Sequence, residues 1–379
     1  MNAPDRPLRL LIVLPSWVGD AVMATPALVR IRQALPGAFI GALARPGIDR
    51  LLDGLATPDR TPVFDEFHAA HATGVLGPKF VAAKIRPRRY DTALLLTGSF
   101  STALTVRVAG VPRRIGYDRD ARGLLLTRRL HPPKRPDGGW AVVPAVSYYW
   151  HAASALLDPG SPDALPAPPL TDLRRVETTL PPGVRLTLPL TERDEADAQR
   201  VRASAGLARK EPFAILNPGG NNPAKRWPAD RFAALGSWLA EEHGFRVLVN
   251  GSPAEGGVCR EIADGVVGGR AVCLADHAHT LGALKVLCRD AALMVTNDTG
   301  PRHIAAAMNT PLVSLFGPTD PRWTTIPVPD GEVDPRGEII LVADPSLPPG
   351  EVANDHAERC RVDRIGLDEV RQAAARLLG

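Results

Sequence analysis

At 379 residues the chain exceeds what one ordinary core fills, so two domains are the starting expectation. Hydrophobic content of 45%, with 34 Gly and 38 Pro, describes a well-packed, turn-rich globular protein rather than a disordered or fibrous one. The net charge of +4 suits an anionic substrate or a membrane surface but is too small to point to nucleic acid.

Residues 8–15, LRLLIVLP, form a continuous apolar run, the pattern of a strand buried on both faces. The run is too short to span a membrane and lacks a small-residue cleavage site, so it does not read as a leader. The loop from Ser16 to Asp20 leads into a helix expected over 20–35 and stopped by Pro36-Gly37. Asp20 in the first helical turn favours the helix dipole. It also stands at the carboxyl edge of a sheet, where α/β folds place their sites. Both readings of Asp20 stay open.

Further strand and helix patterns follow at 39–44, 47–55, 63–67 and 75–84, then a strand at 91–97, a helix at 102–109 and a strand at 113–117. Residues 118–139 read as irregular and strongly basic. A second basic cluster is Arg86, Arg88 and Arg89. Charge runs are usually solvated faces, yet two clusters in one half suggest an anionic second substrate, with Arg86, Arg113 and Arg119 as its expected contacts. A helix over 142–157 precedes a Pro-rich stretch, and the domain boundary is expected within 170–190. That gives domains at 1–175 and 186–350, and a final segment 351–379 whose helix, 367–378, is expected to pack back towards the first domain.

The second half opens with a helix at 192–205 and a strand at 212–216 entering the loop NPGGNNPAKRWP (217–228). A helix over 229–243, a strand over 245–250 and a helix carrying Glu255 come next. The loop has neither the Walker A spacing nor a GxGxxG fingerprint. Lys225, inside a Gly-rich strand-to-helix loop, is nonetheless a phosphate candidate. Residues 291–321 read as strand, tight loop, helix and strand, turning at Asn297-Asp298-Thr299-Gly300. Pro301 suits the first helical turn, and the Thr299 and Gly300 amides would face an anion at the helix start. His303 lies one turn in, with Arg302 adding charge beside it; the plainer reading is that Asp298 and Thr299 merely cap the helix. The four cysteines form no CxxC pair, so neither a zinc site nor a disulfide framework is expected.

Three separated stretches carry a resemblance. LIVLPSWVGDAVMATPAL (11–28), NPGGNNPAKRWPADRFAAL (217–235) and VTNDTGPRHIAAAMNTPLVSLFGPTDP (295–321) are similar, in this order, to glycosyltransferase family 9, the ADP-heptose–lipopolysaccharide heptosyltransferases. SFSTALTVRVAGVPRRIGY (99–117) and CRVDRIGLDEVRQAAARLL (360–378) resemble its heptosyltransferase II branch. The resemblance implies an α/β GT-B fold, two Rossmann-like domains facing a cleft, the first holding the acceptor and the second the nucleotide sugar. It implies inverting, metal-independent transfer of heptose from an ADP-heptose donor to a lipid A-Kdo-heptose type acceptor, with no cofactor. Asp20 matches the family's proposed base and Lys225 its donor-contacting lysine. Asp298, Thr299, Gly300 and His303 match the donor motif, Glu255 the acid that holds the ribose, and Asn221 a small hydroxyl position in relatives.

Glycosyl transfer needs a base for the acceptor hydroxyl and a stabiliser for the departing diphosphate, roles open to Asp20 and to Lys225 with the 298–303 helix start. An epimerase-like enzyme of the same fold or a non-catalytic sugar-nucleotide-binding protein are the alternatives. The expected setting is the cytoplasm, peripheral on the inner membrane face, held by the arginines around 86–89 and 113–129 and without nucleic acid.

Overall fold

A computed structural model of the chain describes residues 6–70, 76–327 and 337–379. Two parallel sheets of six strands organise it. The first contains β1 (Arg9–Val13), β2 (Phe39–Ala44), β3 (Glu66–Ala69), β4 (Thr92–Leu95), β5 (Arg113–Tyr117) and β6 (Arg128–Leu130), in the order β3-β2-β1-β4-β5-β6. The second contains β7 (Phe213–Asn217), β8 (Arg246–Val249), β9 (Ala271–Cys273), β10 (Leu293–Asn297), β11 (Leu312–Phe316) and β12 (Glu338–Val342), in the order β12-β11-β10-β7-β8-β9. Each order reverses once, between β1 and β4 and between β7 and β10, and such reversals open a crevice at the carboxyl ends of the strands. The expected pair of Rossmann-like α/β domains is therefore what the sequence builds.

Helices α1 (Val18–Met23), α2 (Thr25–Ala34), α3 (Ile48–Leu52), α4 (Gly77–Ile85), α5 (Phe100–Val108) and α6 (Ala145–Leu157) belong to the first sheet. Residues α7 (Glu192–Ser204), α8 (Ala229–His243), α9 (Gly256–Gly265), α10 (Leu281–Asp290), α11 (Gly300–Ala307) and α12 (Leu367–Leu378) belong to the second. The chain divides into one unit of residues 1–168 with 178–181 and another of 169–177 with 182–379. Residues 169–177 run with the second unit because Arg174 donates to the Ile340 carbonyl (3.2 Å) and Arg175 reaches Glu338 (3.4 Å), both on β12.

Several features depart from the expected elements, among them the strands β9 and β12, which the sequence reading does not anticipate. The helix expected over 20–35 breaks at Ala24. Pro26 has no N–H for the Val22 carbonyl, and the Thr25 hydroxyl takes that carbonyl instead at 2.7 Å. The basic stretch 118–139 contains β6, a short edge strand on which Arg128 bonds Asp163 (2.7 Å) and backbone carbonyls while Leu130 turns inward. Helix α10 is obscured in the sequence because Lys285 interrupts its apolar face; the Lys285 side chain is fully buried against Asp194 of α7 at 2.8 Å. Helix α12 packs within the second unit. Its Val370, Ala373, Ala374 and Leu377 enter the core of the second sheet with Trp227 and Phe232, and the Trp227 indole donates to the Ile365 carbonyl at 2.9 Å. The helix spends its one apolar face there. Residues 351–379 are thus part of the second unit rather than a separate segment. Val75, the first residue of the helix expected at 75–84, lies outside the described residues; α4 begins at Gly77.

Candidate active site

In the second unit, β10, β7 and β8 lie side by side, and each runs into an asparagine at its carboxyl end: Asn297, Asn217 and Asn250. Parallel register brings these three amides to one edge. Asn217 Nδ2 donates to the hydroxyls of Thr296 and Thr299, both at 2.8 Å, while its Oδ1 accepts from Asn250 Nδ2 at 2.6 Å. Asn297 Nδ2 donates to the carbonyl of Pro218 (2.8 Å), and its Oδ1 accepts from the Trp227 amide (3.3 Å). All three are buried, so these bonds are what makes amides tolerable there. The cluster fixes the loop after β7 against the loop after β10.

A pocket of about 280 Å³ opens at this edge, close to the lower end of the size range of ligand sites. Asn217, Asn250, Glu255 and Thr299 supply its polar wall, and Leu281 and Leu284 of α10 its apolar one. Glu255 closes a capping box with Ser252, whose amide and hydroxyl reach Oε2 at 2.9 and 2.7 Å. Its Oε1 accepts from the Gly220 amide at 3.1 Å. Burial works against the Glu255 charge, yet the bonds from Ser252 and Gly220 with the nearby Arg226 hold its carboxyl below the usual range. A Cβ at Gly219 would sit 2.5 Å from Glu255 Oε1, so any larger residue there would displace that carboxylate. Asn250 Oδ1 is buried with no partner, a spare acceptor beside the pocket.

Thr299 occupies the cap position of α11, but its side chain makes no capping bond. Asn217 holds its hydroxyl instead, leaving the helix start without a side-chain cap. Asp298 likewise does not cap; it meets Lys225 Nζ at 3.1 Å, so a cation and the amide-rich helix start share one corner. Arg302 does not add charge there. It is fully buried, with Nε 2.6 Å from Glu338 Oε1 and Nη2 3.0 Å from Oε2. His303 is also buried, and burial first, then the charge of Arg302, push its pKa well below the ordinary value. It is a neutral ring whose Nδ1 has no partner.

In the first unit, Asp20 follows β1 at the crevice between β1 and β4. The Tyr149 hydroxyl of α6 donates to Asp20 Oδ1 at 2.9 Å. Burial, and then the Asp20 charge, raise the Tyr149 pKa well above its ordinary value, so the phenol stays a donor. Beyond the end of β5, the Arg119 guanidinium lies 4.6 Å from the Trp140 ring centroid. Arg122 is fully buried, donates through Nε to the Tyr117 carbonyl (2.8 Å), and leaves Nη1 and Nη2 without partners. Burial lowers its pKa to about 10, so it remains a cation at neutral pH. Arg113, by contrast, begins β5, and Arg86 donates to the Val108 carbonyl at the end of α5. Both stand at the amino edge of the sheet, the end opposite Asp20.

The family model for glycosyltransferase family 9 (heptosyltransferase) matches residues 80–334. The chain belongs to glycosyltransferase family 9. Lipopolysaccharide heptosyltransferase 2 of Escherichia coli K12 is 29% identical over 84% of this chain and 85% of its own length. Lipooligosaccharide heptosyltransferase 2 of Haemophilus influenzae is 29% identical over 88% and 91%. The solved structure of E. coli ADP-heptose lps heptosyltransferase II superposes with a TM-score of 0.73 at 25% identity, covering 98% of both chains. The two parallel sheets are thus those of a GT-B glycosyltransferase.

Within this family 9 enzyme the expected residues fall in several different places. Glu255 and Thr299 line one pocket, and Lys225, Asp298 and Gly300 flank it. Asn221 is exposed on the loop; its neighbour Asn222 carries the local structure by accepting from the Ala224 amide at 3.0 Å. His303 sits inside the fold rather than at its surface. Of the three acceptor arginines, Arg119 alone shares an edge with Asp20. Sequence reasoning missed Asn217, Asn250, Asn297, Arg122 and Tyr149. The asparagines carried one signal, an amide closing an apolar strand; Arg122 carried only its place in the basic stretch 118–139, and Tyr149 carried none.

Proposed function

We propose that this glycosyltransferase moves a heptosyl group from ADP-heptose to the inner core of a lipid A-linked saccharide, with inversion at the anomeric carbon. The observation that carries the donor half is the pocket at the ends of β7, β8 and β10, which joins an ionised carboxylate to an uncapped helix start. Glu255 would accept from the ribose hydroxyls, and Leu281 and Leu284 would cover the base. The Gly300 amide and Lys225 would hold the diphosphate, Lys225 exchanging Asp298 for a phosphate oxygen as the negative charge grows. That cation and the helix dipole perform the charge stabilisation, so the reaction as proposed requires no divalent metal.

Asp20 would take the proton of the acceptor hydroxyl, with Tyr149 holding the carboxylate in one orientation. Arg119 would meet the anionic groups of the acceptor, near the buried Arg122 cation, which Asp120 and Asp118 already favour. A lipid-linked acceptor places the enzyme at the cytosolic membrane face; among the described residues no helix is long and apolar enough to cross a membrane.

The deciding experiment follows ADP release from ADP-heptose with and without a Kdo-containing lipid acceptor. Release that requires the acceptor, together with a heptosylated product by mass spectrometry, supports the reading. Donor turnover without acceptor would indicate an epimerase-type enzyme. ADP binding with no turnover in either case would indicate a binding protein.

A further inference from the structure

Helices α4 and α5 lie against one face of the first sheet. Val81, Ala82 and Ile85 of α4 and Ala103 and Val106 of α5 fill the core beneath them. The Arg86 bond to the Val108 carbonyl (2.8 Å) joins their carboxyl ends, so the two helices run side by side in the same direction. Their outer surface is unusual for this molecule in two independent ways.

The first is exposed apolar area. Eight large hydrophobic side chains are exposed among the described residues, and five belong to this face: Leu76, Phe80, Phe100, Val108 and Leu124. Leu76 and Phe80 are each 58% exposed and Leu124 is 86% exposed, beyond what scattered surface hydrophobics explain. Leu76, Phe80 and Lys84 follow one another at four-residue spacing, one outward stripe of a helix. The second is charge. Residues 76–117 contain eight Lys or Arg and a single acid, Asp91, in a chain whose total is only +4. Asp91 is already engaged by Arg6. Lys79, Lys84, Arg86, Arg89, Arg107 and Arg113 have no carboxylate partner among the described residues.

We propose that the α4–α5 face is a docking surface for an anionic lipid bilayer, with Phe80 and Leu76 entering the headgroup boundary and the lysines and arginines facing phosphates. An acidic protein partner or a nucleic acid would use the charge but leave the apolar side chains in water. A bilayer interface uses both, as interfacial helices do. Both helices begin at the carboxyl edge of the sheet, so the apolar end of the face lies at the edge that carries Asp20. On the acceptor reading given above, a lipid-linked saccharide would be presented to that edge; the surface itself does not depend on that reading.

The test uses the full chain, without donor or acceptor, sedimented with phosphatidylcholine vesicles that do or do not contain phosphatidylglycerol. Binding to the anionic vesicles is expected, weaker by roughly tenfold or more on neutral vesicles or at about 0.5 M salt. Lys84→Glu with Arg107→Glu should weaken anionic binding and flatten its salt dependence. Phe80→Ser with Leu76→Ser should weaken binding at fixed salt and leave its salt dependence in place. Neither pair should change the melting temperature by more than about 2 °C, since all four side chains face solvent. Absence of binding to anionic vesicles, or binding unchanged by both pairs, overturns the proposal. Because no substrate is present, this outcome is independent of whether heptose transfer is observed.

Discussion

Asn217→Ala is the sharpest probe of the donor pocket. The parent side chain makes three buried hydrogen bonds, to Thr296, Thr299 and Asn250. Thr296 keeps its bond to the Asn297 carbonyl at 2.7 Å, so it loses least. Asn250 loses the partner of its Nδ2, with an Oδ1 that is already unmatched. At about 1 kcal/mol per neutral bond, and with water from the pocket able to replace part of the loss, the fold should weaken by about 2 kcal/mol. For a unit of this size that is about 4–8 °C in melting temperature. The second effect is specific. Freed from Asn217, the Thr299 hydroxyl can rotate to cap α11 and compete with phosphate for the amides there. The ADP dissociation constant should therefore rise roughly tenfold, or about 1.4 kcal/mol. Asn250→Ala is the control, because it removes one bond of the cluster yet leaves Thr299 anchored. It should lower stability while raising the ADP dissociation constant less than Asn217→Ala does, since Asn250 lines the pocket but does not hold Thr299. Calorimetric titration with ADP and thermal melts of both variants measure the two effects. Unchanged ADP affinity in a destabilised Asn217→Ala protein would refute the assignment of the α11 start to the diphosphate.

Asp20→Asn keeps an acceptor for the Tyr149 hydroxyl, so stability should change by no more than about 1 kcal/mol while kcat falls by roughly 10²–10⁴-fold. A folded variant with near-normal turnover would remove Asp20 from the mechanism. Lys285→Met strands the Asp194 charge in a fully buried site and should cost about 3–5 kcal/mol, much of it recovered by adding Asp194→Asn. Equal melting temperatures for the parent and the single variant would contradict the buried pair. The neutral His303 gives a signed pH effect: its pKa lies below the unfolded value near 6.5, so the unfolded chain takes up a proton that the folded ring refuses. Its stabilisation is present above that pH and is lost as pH falls, by about 1.4 kcal/mol per pH unit while the folded ring stays neutral. Urea midpoints should decline less steeply with acidification in His303→Gln than in the parent, and parallel curves would count against a neutral ring. Activity should persist in excess EDTA; loss restored by magnesium or manganese would require a metal that Lys225 and the helix start were assigned to replace.

The α/β alternation was legible because strands buried on both faces write unbroken apolar runs, as β1, β7, β10 and β11 do. Elements that use charges internally were not. Lys285 disguised α10, and Glu338, which binds Arg302 and Arg175, opens β12 with a carboxylate. The same effect misdirected Arg302, since nothing local distinguishes an arginine bound for a solvent-facing site from one bound for a strand 36 residues away. Placement at a sheet edge is likewise a tertiary property. Arg113 and Arg119 are six positions apart, yet the length of β5 sets one at each end of the sheet. Only the Asp20 loop and the loops after β7 and β10 combined a local turn signature with a position fixed by parallel topology, and there sequence and structure agree on placement.

Glu338 joins parts of the chain that are far apart in sequence. Its Oε1 is held by Arg302 of α11 and by Ser314 of β11 at 2.5 Å, while its Oε2 takes both Arg302 (3.0 Å) and Arg175 (3.4 Å) from residues 169–177. One carboxylate thereby ties the helix that starts at the pocket to residues 169–177. Removing that one carboxylate would therefore loosen α11, β11 and residues 169–177 together, so the seat of the amide cradle and the path of the incoming chain share a single fastening.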